Sequence, residues 1–217
     1  EGGADLLLVE TSQDILEVKA AVVGINRYFA DSGQRIPLQV QITLDVSGRM
    51  LFGTDIASAL ATLEALPIDV IGMNCSTGPE YMRAPIQYLI ENSTLPISVL
   101  PNAGLPINVD GEAVYPMEPE PFSEMVAEFA RWGVNIVGGC CGTTPEHIRA
   151  VAERVGGRSH GEAGYWRKVR AAFPGFDFRL GRPERDDAVR LQGCSSLYQF
   201  QPYHQDKSFL IVGEKTN

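Results

Sequence analysis

Five short apolar segments alternate with segments of helical periodicity over residues 1–157, and this alternation constrains the fold more than any other feature of the chain. Most of these segments lack an alternating polar face, which is typical of parallel strands covered on both sides. Consecutive βα units that recur about every 30 residues predict the α/β class and a parallel sheet. The predicted strands are Leu6 to Glu10, Leu38 to Leu44, Val70 to Cys75, Ile97 to Asn102 and Asn135 to Cys140.

A predicted amphipathic helix follows each strand, because apolar residues recur there at spacings of three and four. The first runs from Ile15 to Phe29, with Thr11 or Ser12 together with Asp14 as its cap and dipole partner. Proline at the first helical position marks the start of the last helix. The other helices are predicted after Thr54, after Gly78-Pro79, from Phe122 to Gly133, and from Thr144-Pro145 to Gly156-Gly157.

Five βα units fit either a doubly wound sheet or part of a (β/α)8 barrel, since five strands cannot close a barrel of eight. The chain begins at Glu1 without an initiator methionine, and we expect it to be a piece of a longer polypeptide. Beyond residue 157 the sequence is irregular and rich in Arg, Pro and Gly, which predicts an interdomain linker over residues 158–208. A strand-like run, Phe209 to Val212, then predicts the start of another domain at residues 209–217.

Composition narrows the class of partner. The 217 residues are 44% apolar and 21% charged, with a net charge of −9, and this acidity argues against a nucleic acid or a membrane surface as partner. The apolar runs are far shorter than the roughly 18 residues that span a bilayer. Only four cysteines and no signal segment at the start predict a reducing, cytoplasmic compartment.

Polar residues that could take part in binding or catalysis lie at the carboxyl ends of the predicted strands, where the loops of a parallel α/β fold converge. Position on the fold, rather than spacing in sequence, therefore brings distant side chains together. These residues are Glu10, Asn74, Cys75, Asn102 within Pro101-Asn-Ala-Gly104, and the pair Cys140 and Cys141.

The adjacent Cys140 and Cys141 have three possible roles: a disulfide, two buried apolar residues, or two metal ligands. Adjacent Cα atoms lie about 3.8 Å apart, closer than a relaxed disulfide requires, and a reducing compartment also disfavours the bridge. Burial is common for free cysteine but does not explain Gly138, Gly139 and Gly142 around the pair. These glycines would let the chain leave the strand, so that both sulfurs could face one point.

Cys75 is by default a core cysteine, but it shares its predicted rim with Cys140 and Cys141. Three thiolates form a soft site suited to zinc, and three protein ligands leave one tetrahedral position open, as in catalytic sites. Such a site has one net negative charge, so it activates water weakly but can hold a substrate thiol as its thiolate. Cys194 lies in the predicted linker, away from any strand end, and is assigned no role.

Several separate motifs, in the same order, resemble the homocysteine-binding domain of the zinc-dependent homocysteine S-methyltransferases. The resemblance covers residues 1 to about 157. The terminal Val-Gly-Glu-Lys-Thr-Asn217 resembles the first strand of the pterin-binding barrel that follows in cobalamin-dependent members, where arginine is usual at the position of Lys215. The motifs are the opening Gly-Gly-Ala-Asp-Leu-Leu-Leu-Val-Glu-Thr11, Asp45-Val-Ser-Gly-Arg49, Gly72-Met-Asn-Cys-Ser-Thr-Gly-Pro79, Pro101-Asn-Ala-Gly-Leu-Pro106 and Val137-Gly-Gly-Cys-Cys-Gly-Thr-Thr-Pro-Glu-His-Ile148.

The resemblance implies a methyltransferase fragment: strands four to eight of a (β/α)8 barrel, a linker and the start of a second barrel. It places the zinc thiolates on Cys75, Cys140 and Cys141, the acceptor of the homocysteine amine on Glu10, and Asn102 beside the metal, where it could fill the open position without substrate. Homocysteine would take its methyl group from cobalamin, and ultimately from methyltetrahydrofolate, both bound by domains outside this chain.

Several of these residues also fit other roles. Glu10 could be a helix-capping or dipole-facing carboxylate, and Asn102 could be a turn residue. His147 is predicted to be a surface residue rather than a ligand, and His160 and His204 are assigned nothing. Alternative functions are a single-domain methyltransferase that uses betaine or S-methylmethionine, a phosphate-binding barrel enzyme with Gly142-Thr-Thr144 as its loop, and a noncatalytic zinc-stabilised module.

Overall fold

The structure, a computed structural model, describes residues 3–156, 193–195 and 198–202. Parallel strands alternate with helices in it, which confirms the predicted α/β class. The strands are β1 (Leu7–Ser12), β2 (Leu38–Ile42), β3 (Val70–Asn74), β4 (Ile97–Leu100), β5 (Ile107–Val109), β6 (Glu112–Val114), β7 (Ile136–Val137), β8 (Gly193–Ser195) and β9 (Phe200–Pro202). The helices are α1 (Ile15–Ser32), α2 (Ile56–Leu63), α3 (Pro79–Asn92), α4 (Pro119–Trp132) and α5 (Pro145–Gly156).

Capping and first-turn residues mark where the helices begin. Asp14 is the N-cap of α1, and its carboxylate accepts a hydrogen bond from the amide of Leu16 at 2.8 Å. The alternative caps, Thr11 and Ser12, belong to β1 instead. Helix α4 starts at Pro119, before the predicted Phe122, because proline suits the first turn of a helix.

The main sheet has the order β1-β2-β3-β4-β7, and every neighbouring pair is parallel. Strand order follows chain order without the reversal that defines a doubly wound sheet. All five carboxyl ends consequently lie at one edge. The register of β1 shifts between Val9 and Ser12, where Thr11 has a left-handed φ of 56°, so the chain bends at that edge.

Strand β7 is shorter than the predicted segment Asn135 to Cys140, because the backbone leaves the sheet at two glycines. A Cβ on Gly138 would lie 2.8 Å from Cδ2 of Leu100, and one on Gly139 would lie 2.4 Å from Cγ2 of Thr143. Only glycine permits these approaches without displacement.

The main core joins the apolar faces of α1, α2 and α3 to β2, β3 and β4. Each fully buried aliphatic side chain contributes about 1.5–3 kcal/mol relative to exposure. A smaller cluster of Phe122, Val126 and Val151 joins α4 to α5. Buried aliphatic residues of the main core include Val18, Val22, Leu38, Val40, Ile42, Leu60, Leu63, Ile71, Met73, Ile86 and Val99.

The second face of β2 is polar, unlike the continuous apolar segment that the sequence predicts. Leu38, Val40 and Ile42 alternate with Gln39 and Gln41, and all five residues are buried. Both glutamine amides donate to one acceptor, the hydroxyl of Ser98 on β4, at 2.9 and 2.7 Å. The sheet therefore has an apolar face against the helices and a hydrogen-bonded polar layer on the other side.

Two antiparallel hairpins supplement the sheet. Strands β5 and β6 join through Asp110 and Gly111, whose positive φ values of 52° and 91° suit a tight hairpin turn. Strands β8 and β9 lie within the predicted linker and pack on α2, where the Ser195 hydroxyl donates to the carbonyl of Ser58 at 3.1 Å. The rest of that linker, with His160 and His204, and the predicted domain start at residues 209–217 lie outside the described residues.

Among the described residues, no helix combines the length and apolar character that crossing a membrane requires.

Candidate metal centre

Three thiols converge at the edge where the parallel strands end. The sulfurs of Cys75, Cys140 and Cys141 all lie within 4.8 Å of one another, and those of Cys75 and Cys141 are 3.6 Å apart. In the described part of the chain, this is the one group of three or more potential ligands close enough to hold a metal. Tetrahedral zinc with bonds of about 2.3 Å separates its sulfur ligands by about 3.8 Å, so the three thiols fit this metal.

The backbone at the end of β3 turns Cys75 toward the pair. Cys75 and Ser76 have left-handed φ values of 61° and 65°, which non-glycine residues adopt at a cost of about 1–2 kcal/mol each. The amide of Cys75 still donates to the carbonyl of Leu100 at 3.1 Å, so β4 holds the residue in place. Strain of this kind persists where the surroundings over-determine the conformation, as at functional sites.

Hydrogen bonds tie the Cys140-Cys141 loop to the loop after β4. The amide of Cys140 donates to the carbonyl of Pro101 at 2.8 Å, and the amide of Ala103 donates to the carbonyl of Cys141 at 2.9 Å. Asn102, only 1% exposed, accepts from the amide of Cys141 through its side-chain oxygen at 3.0 Å. Asn102 therefore lies beside the thiols, and its amide oxygen keeps a second lone pair.

The electrostatics of the cluster favour a cation. Burial, followed by the neighbouring thiols of Cys75 and Cys141, raises the pKa of Cys140 to about 12. Three thiolates so close together repel one another, whereas a bound divalent cation would stabilise all three. The free thiol form of Cys140 is therefore favoured at neutral pH until a metal displaces its proton.

Glu10, the predicted substrate-binding carboxylate, is exposed at the carboxyl end of β1 and faces the same edge. Its Oε2 accepts a hydrogen bond from the side-chain amide of Asn74 at 3.1 Å. Asp14 rather than Glu10 caps α1, so the helix-capping interpretation of Glu10 is wrong. The carboxylate is thus held next to the thiols with an oxygen available to a cationic group.

Tyr115 is a site residue that the sequence analysis missed. A hydrogen bond to Cys141, followed by burial, raises the pKa of its hydroxyl. The side chain covers Gly142, whose φ is +76°, so closely that a Cβ there would lie 2.2 Å from Cβ of Tyr115. The signal that could have found it is Asp110-Gly111 between two short alternating runs, because this hairpin returns the chain to the site.

His147 is buried, 5% exposed, so its prediction as a surface residue is wrong. Its Nδ1 accepts from the amide of Thr144 at 3.1 Å, and its Nε2 lies 2.8 Å from the carbonyl of Met117. These contacts require a neutral imidazole that donates through Nε2. His147 therefore joins the start of α5 to the segment after β6 and is not placed among the thiols.

A parallel βα sheet with three convergent thiols and a nearby carboxylate at its strand ends defines a candidate thiolate-metal enzyme. The sequence model of one family, Homocysteine S-methyltransferase, matches residues 1–155. The chain belongs to the homocysteine S-methyltransferase family, and the resemblance seen in the sequence is confirmed.

Curated relatives resemble the whole chain. The methionine synthase of Mycobacterium tuberculosis (strain ATCC 25618 / H37Rv) is 41% identical over 218 residues, and that of Mycobacterium leprae (strain TN) is 42% identical over the same length. Both alignments cover 100% of this chain but only 16% and 17% of those proteins. The chain thus spans about a sixth of the length of these relatives.

Solved structures share the fold. The homocysteine methyltransferase MmuM from Escherichia coli, in its apo form, is 28% identical with a TM-score of 0.56, over 70% of this chain and 50% of that one. Its metallated form is 27% identical with a TM-score of 0.55, over 70% of this chain and 46% of that one.

Proposed function

We propose that the full-length protein is a methionine synthase, in which this chain supplies the zinc and homocysteine site. The observation that supports this proposal is the convergence of three thiols with a carboxylate at one edge of the sheet. A thiolate-rich metal site suits a sulfur nucleophile, and a nearby carboxylate suits the ammonium group of an amino acid. The two ends of homocysteine match these two features.

Cys75, Cys140 and Cys141 would hold the zinc ion, and Asn102 would lie beside the open position. When bound, zinc would keep the substrate sulfur ionised at neutral pH and leave it able to attack a methyl group. Glu10 would bind the substrate ammonium group and orient the sulfur toward the donor. Cobalamin, bound by a domain outside this chain, would supply the methyl group, while this chain would hold the substrate sulfur as a thiolate whose proton has passed to solvent.

The choice of methylcobalamin as donor is supported by the extent of the similarities. The family match ends at residue 155, and MmuM resembles 70% of the chain, whereas the methionine synthases align over all of it. The segment beyond residue 155 is therefore shared with methionine synthases, which disfavours the single-domain enzymes that use betaine or S-methylmethionine. In this proposal, residues 158–208 form the linker to a pterin-binding domain that starts at residues 209–217, and methyltetrahydrofolate and cobalamin bind to further domains of the same polypeptide.

The fold proposal follows the same reasoning. Residues 1–157 would form strands four to eight of a (β/α)8 barrel, because the strand order follows the chain as it does around a barrel. The buried polar layer of Gln39, Gln41 and Ser98 would face the barrel interior. The similarity to MmuM, which is twice as long as the matched region, supports this placement.

The loop amides already donate hydrogen bonds within the protein, and this disfavours the phosphate-binding alternative. The amide of Thr143 donates to the carbonyl of Cys140 at 3.2 Å, and that of Thr144 donates to His147. A phosphate at the start of α5 would need these same donors.

The decisive experiment measures zinc content and homocysteine-dependent proton release in the full-length protein. Wild type should hold about one zinc ion per chain and release a proton when homocysteine binds. Cys140→Ser should lose most of the metal and the proton release, because a hydroxyl is a poor soft ligand. Cys194→Ser is the matched control and should retain both. Unchanged zinc in Cys140→Ser would refute the assignment, and a noncatalytic zinc module would keep zinc but release no proton with homocysteine.

A further inference from the structure

Asn74 is the last residue of β3, and its side chain lies at the centre of the site. The strand itself does not need that side chain for its hydrogen bonds. Asn74 is fully buried, with 0% exposure, although it lies at the edge where the thiols converge. Its backbone carbonyl already accepts a hydrogen bond from the hydroxyl of Thr43 at 2.9 Å, so this carbonyl has a partner without help from the Asn74 side chain. A buried primary amide is retained only where its own donors and acceptor find partners.

The Asn74 amide group connects three neighbours. Its oxygen accepts from the backbone amide of Thr11 at 2.9 Å, which fixes the orientation of the amide plane. Its nitrogen lies 2.7 Å from the hydroxyl of Thr11, 3.1 Å from Oε2 of Glu10 and 3.8 Å from the sulfur of Cys140. One side chain thus bridges the carboxylate and one of the thiols.

We infer that Asn74 is a positioning residue that sets the distance between the Glu10 carboxylate and the metal-binding thiols, and thereby selects the length of the aminothiol substrate. The inference rests on the proposed function and adds a determinant of specificity to it. A substrate that binds through its ammonium group at one end and its sulfur at the other must match this distance. Homocysteine is one methylene longer than cysteine, so a carboxylate held at a fixed distance from the thiols would favour the binding of one over the other.

The size of the effect follows from two general values. One methylene in a fitted site changes binding about 10- to 200-fold. A hydrogen bond to a charged group, once lost, changes binding by roughly tenfold or more. When Glu10 is released from Asn74, its carboxylate can follow the ammonium group of the shorter substrate. Homocysteine binding should then weaken by about tenfold, while cysteine binding changes by less than about threefold.

The test uses Asn74→Asp in the full-length protein. Aspartate retains the oxygen that accepts from Thr11, but replaces the donor that faces Glu10 and Cys140 with an acceptor. Asn135→Asp is the matched control, because Asn135 also accepts a strand amide, that of Ile97 at 2.8 Å, and lies at the opposite end of the sheet. A milder second variant, Thr11→Val, removes the hydroxyl that lies 2.7 Å from the Asn74 nitrogen and should act in the same direction if Asn74→Asp does not fold.

Three quantities are measured on zinc-loaded protein: zinc per chain, the dissociation constants of homocysteine and cysteine by calorimetry, and KM against kcat for homocysteine. The inference predicts retained zinc, a fall of at least about threefold in the preference for homocysteine over cysteine, and a raised KM with kcat changed less. Equal weakening of both ligands, or an unchanged preference in Asn74→Asp and Thr11→Val, overturns it. Wild-type protein that binds neither zinc nor homocysteine overturns the proposed function as well, so the two failures are distinguishable.

Discussion

Replacement of Gly142 by alanine is expected to damage the candidate metal centre through two separate costs. The residue has a φ of +76°, where an L-residue with a side chain costs about 1–2 kcal/mol. The new Cβ would also lie 2.2 Å from Cβ and 2.3 Å from Cγ of Tyr115, far inside the ~3.5 Å of an ordinary carbon contact. Displacement of that side chain or of the loop adds about 1–3 kcal/mol, as in other overpacked sites. The sum is a loss of about 2–5 kcal/mol.

A matched glycine separates the two costs. Gly48 has the same φ of +76°, and a Cβ built there meets nothing within 4 Å, so Gly48→Ala has only the backbone cost. Chemical denaturation of the full-length protein, followed through the transition that releases zinc, gives the free energy of unfolding for each variant. Gly142→Ala should be less stable than Gly48→Ala by about 1–3 kcal/mol and should bind zinc about 10- to 100-fold more weakly.

Equal stability of Gly142→Ala and Gly48→Ala, with equal zinc affinity, would refute the contact between Gly142 and Tyr115. A rescue variant tests the same contact from the other side. In a Tyr115→Gly background all three overlapping carbon atoms, Cβ, Cγ and Cδ2, are absent, so adding Gly142→Ala should cost no more than Gly48→Ala does.

Three further substitutions test the scaffold. Gly72→Ala should abolish soluble expression, because its Cβ would lie 2.1 Å from the backbone oxygen of Ser98 on the neighbouring strand; normal yield would contradict the strand pairing. Gly24→Ala, inside α1 with open space around it, should instead stabilise the protein by about 0.5–1 kcal/mol in thermal denaturation. A lower stability than that of wild type would contradict the open space around Gly24. The hydrogen bond from Arg83 lowers the pKa of Glu128, so the stability from this pair is present above the unfolded pKa of about 4.3 and is lost as pH falls through the lower folded pKa. Glu128→Gln should therefore lower stability by about 0.2–1 kcal/mol near pH 7 and by less near pH 3, and a pH-independent difference would refute the linkage.

The strand ends of the site could be predicted from sequence because parallel strands place their carboxyl ends at one edge whatever their separation along the chain. Cys75 and Cys141 are 66 residues apart, yet their sulfurs lie 3.6 Å apart. The same reasoning places Glu10 and Asn102 at that edge. It depends only on the order of βα units, which hydrophobic periodicity reveals.

The rest depended on contacts that periodicity does not encode. Periodicity places Asn74 only at a strand end, whereas its bridge between Glu10 and Cys140 depends on how closely side chains from two other strand ends approach it. His147 lies in a polar sequence, and its burial results from the approach of the segment after β6. The hairpin of β5 and β6 was missed although Asp110-Gly111 is a turn signal, because each of its strands has only three residues.

The left-handed residues around the thiols have a consequence for how this protein would respond to selection. Thr11, Cys75 and Ser76 each adopt a conformation that glycine tolerates better, so the fold is less stable than its sequence could make it. Laboratory evolution for heat resistance alone should recover Cys75→Gly, because glycine would adopt the same bend without strain, although it removes one of the three thiols. Selection for metal binding should eliminate that variant, so that the two regimes drive the same position in opposite directions.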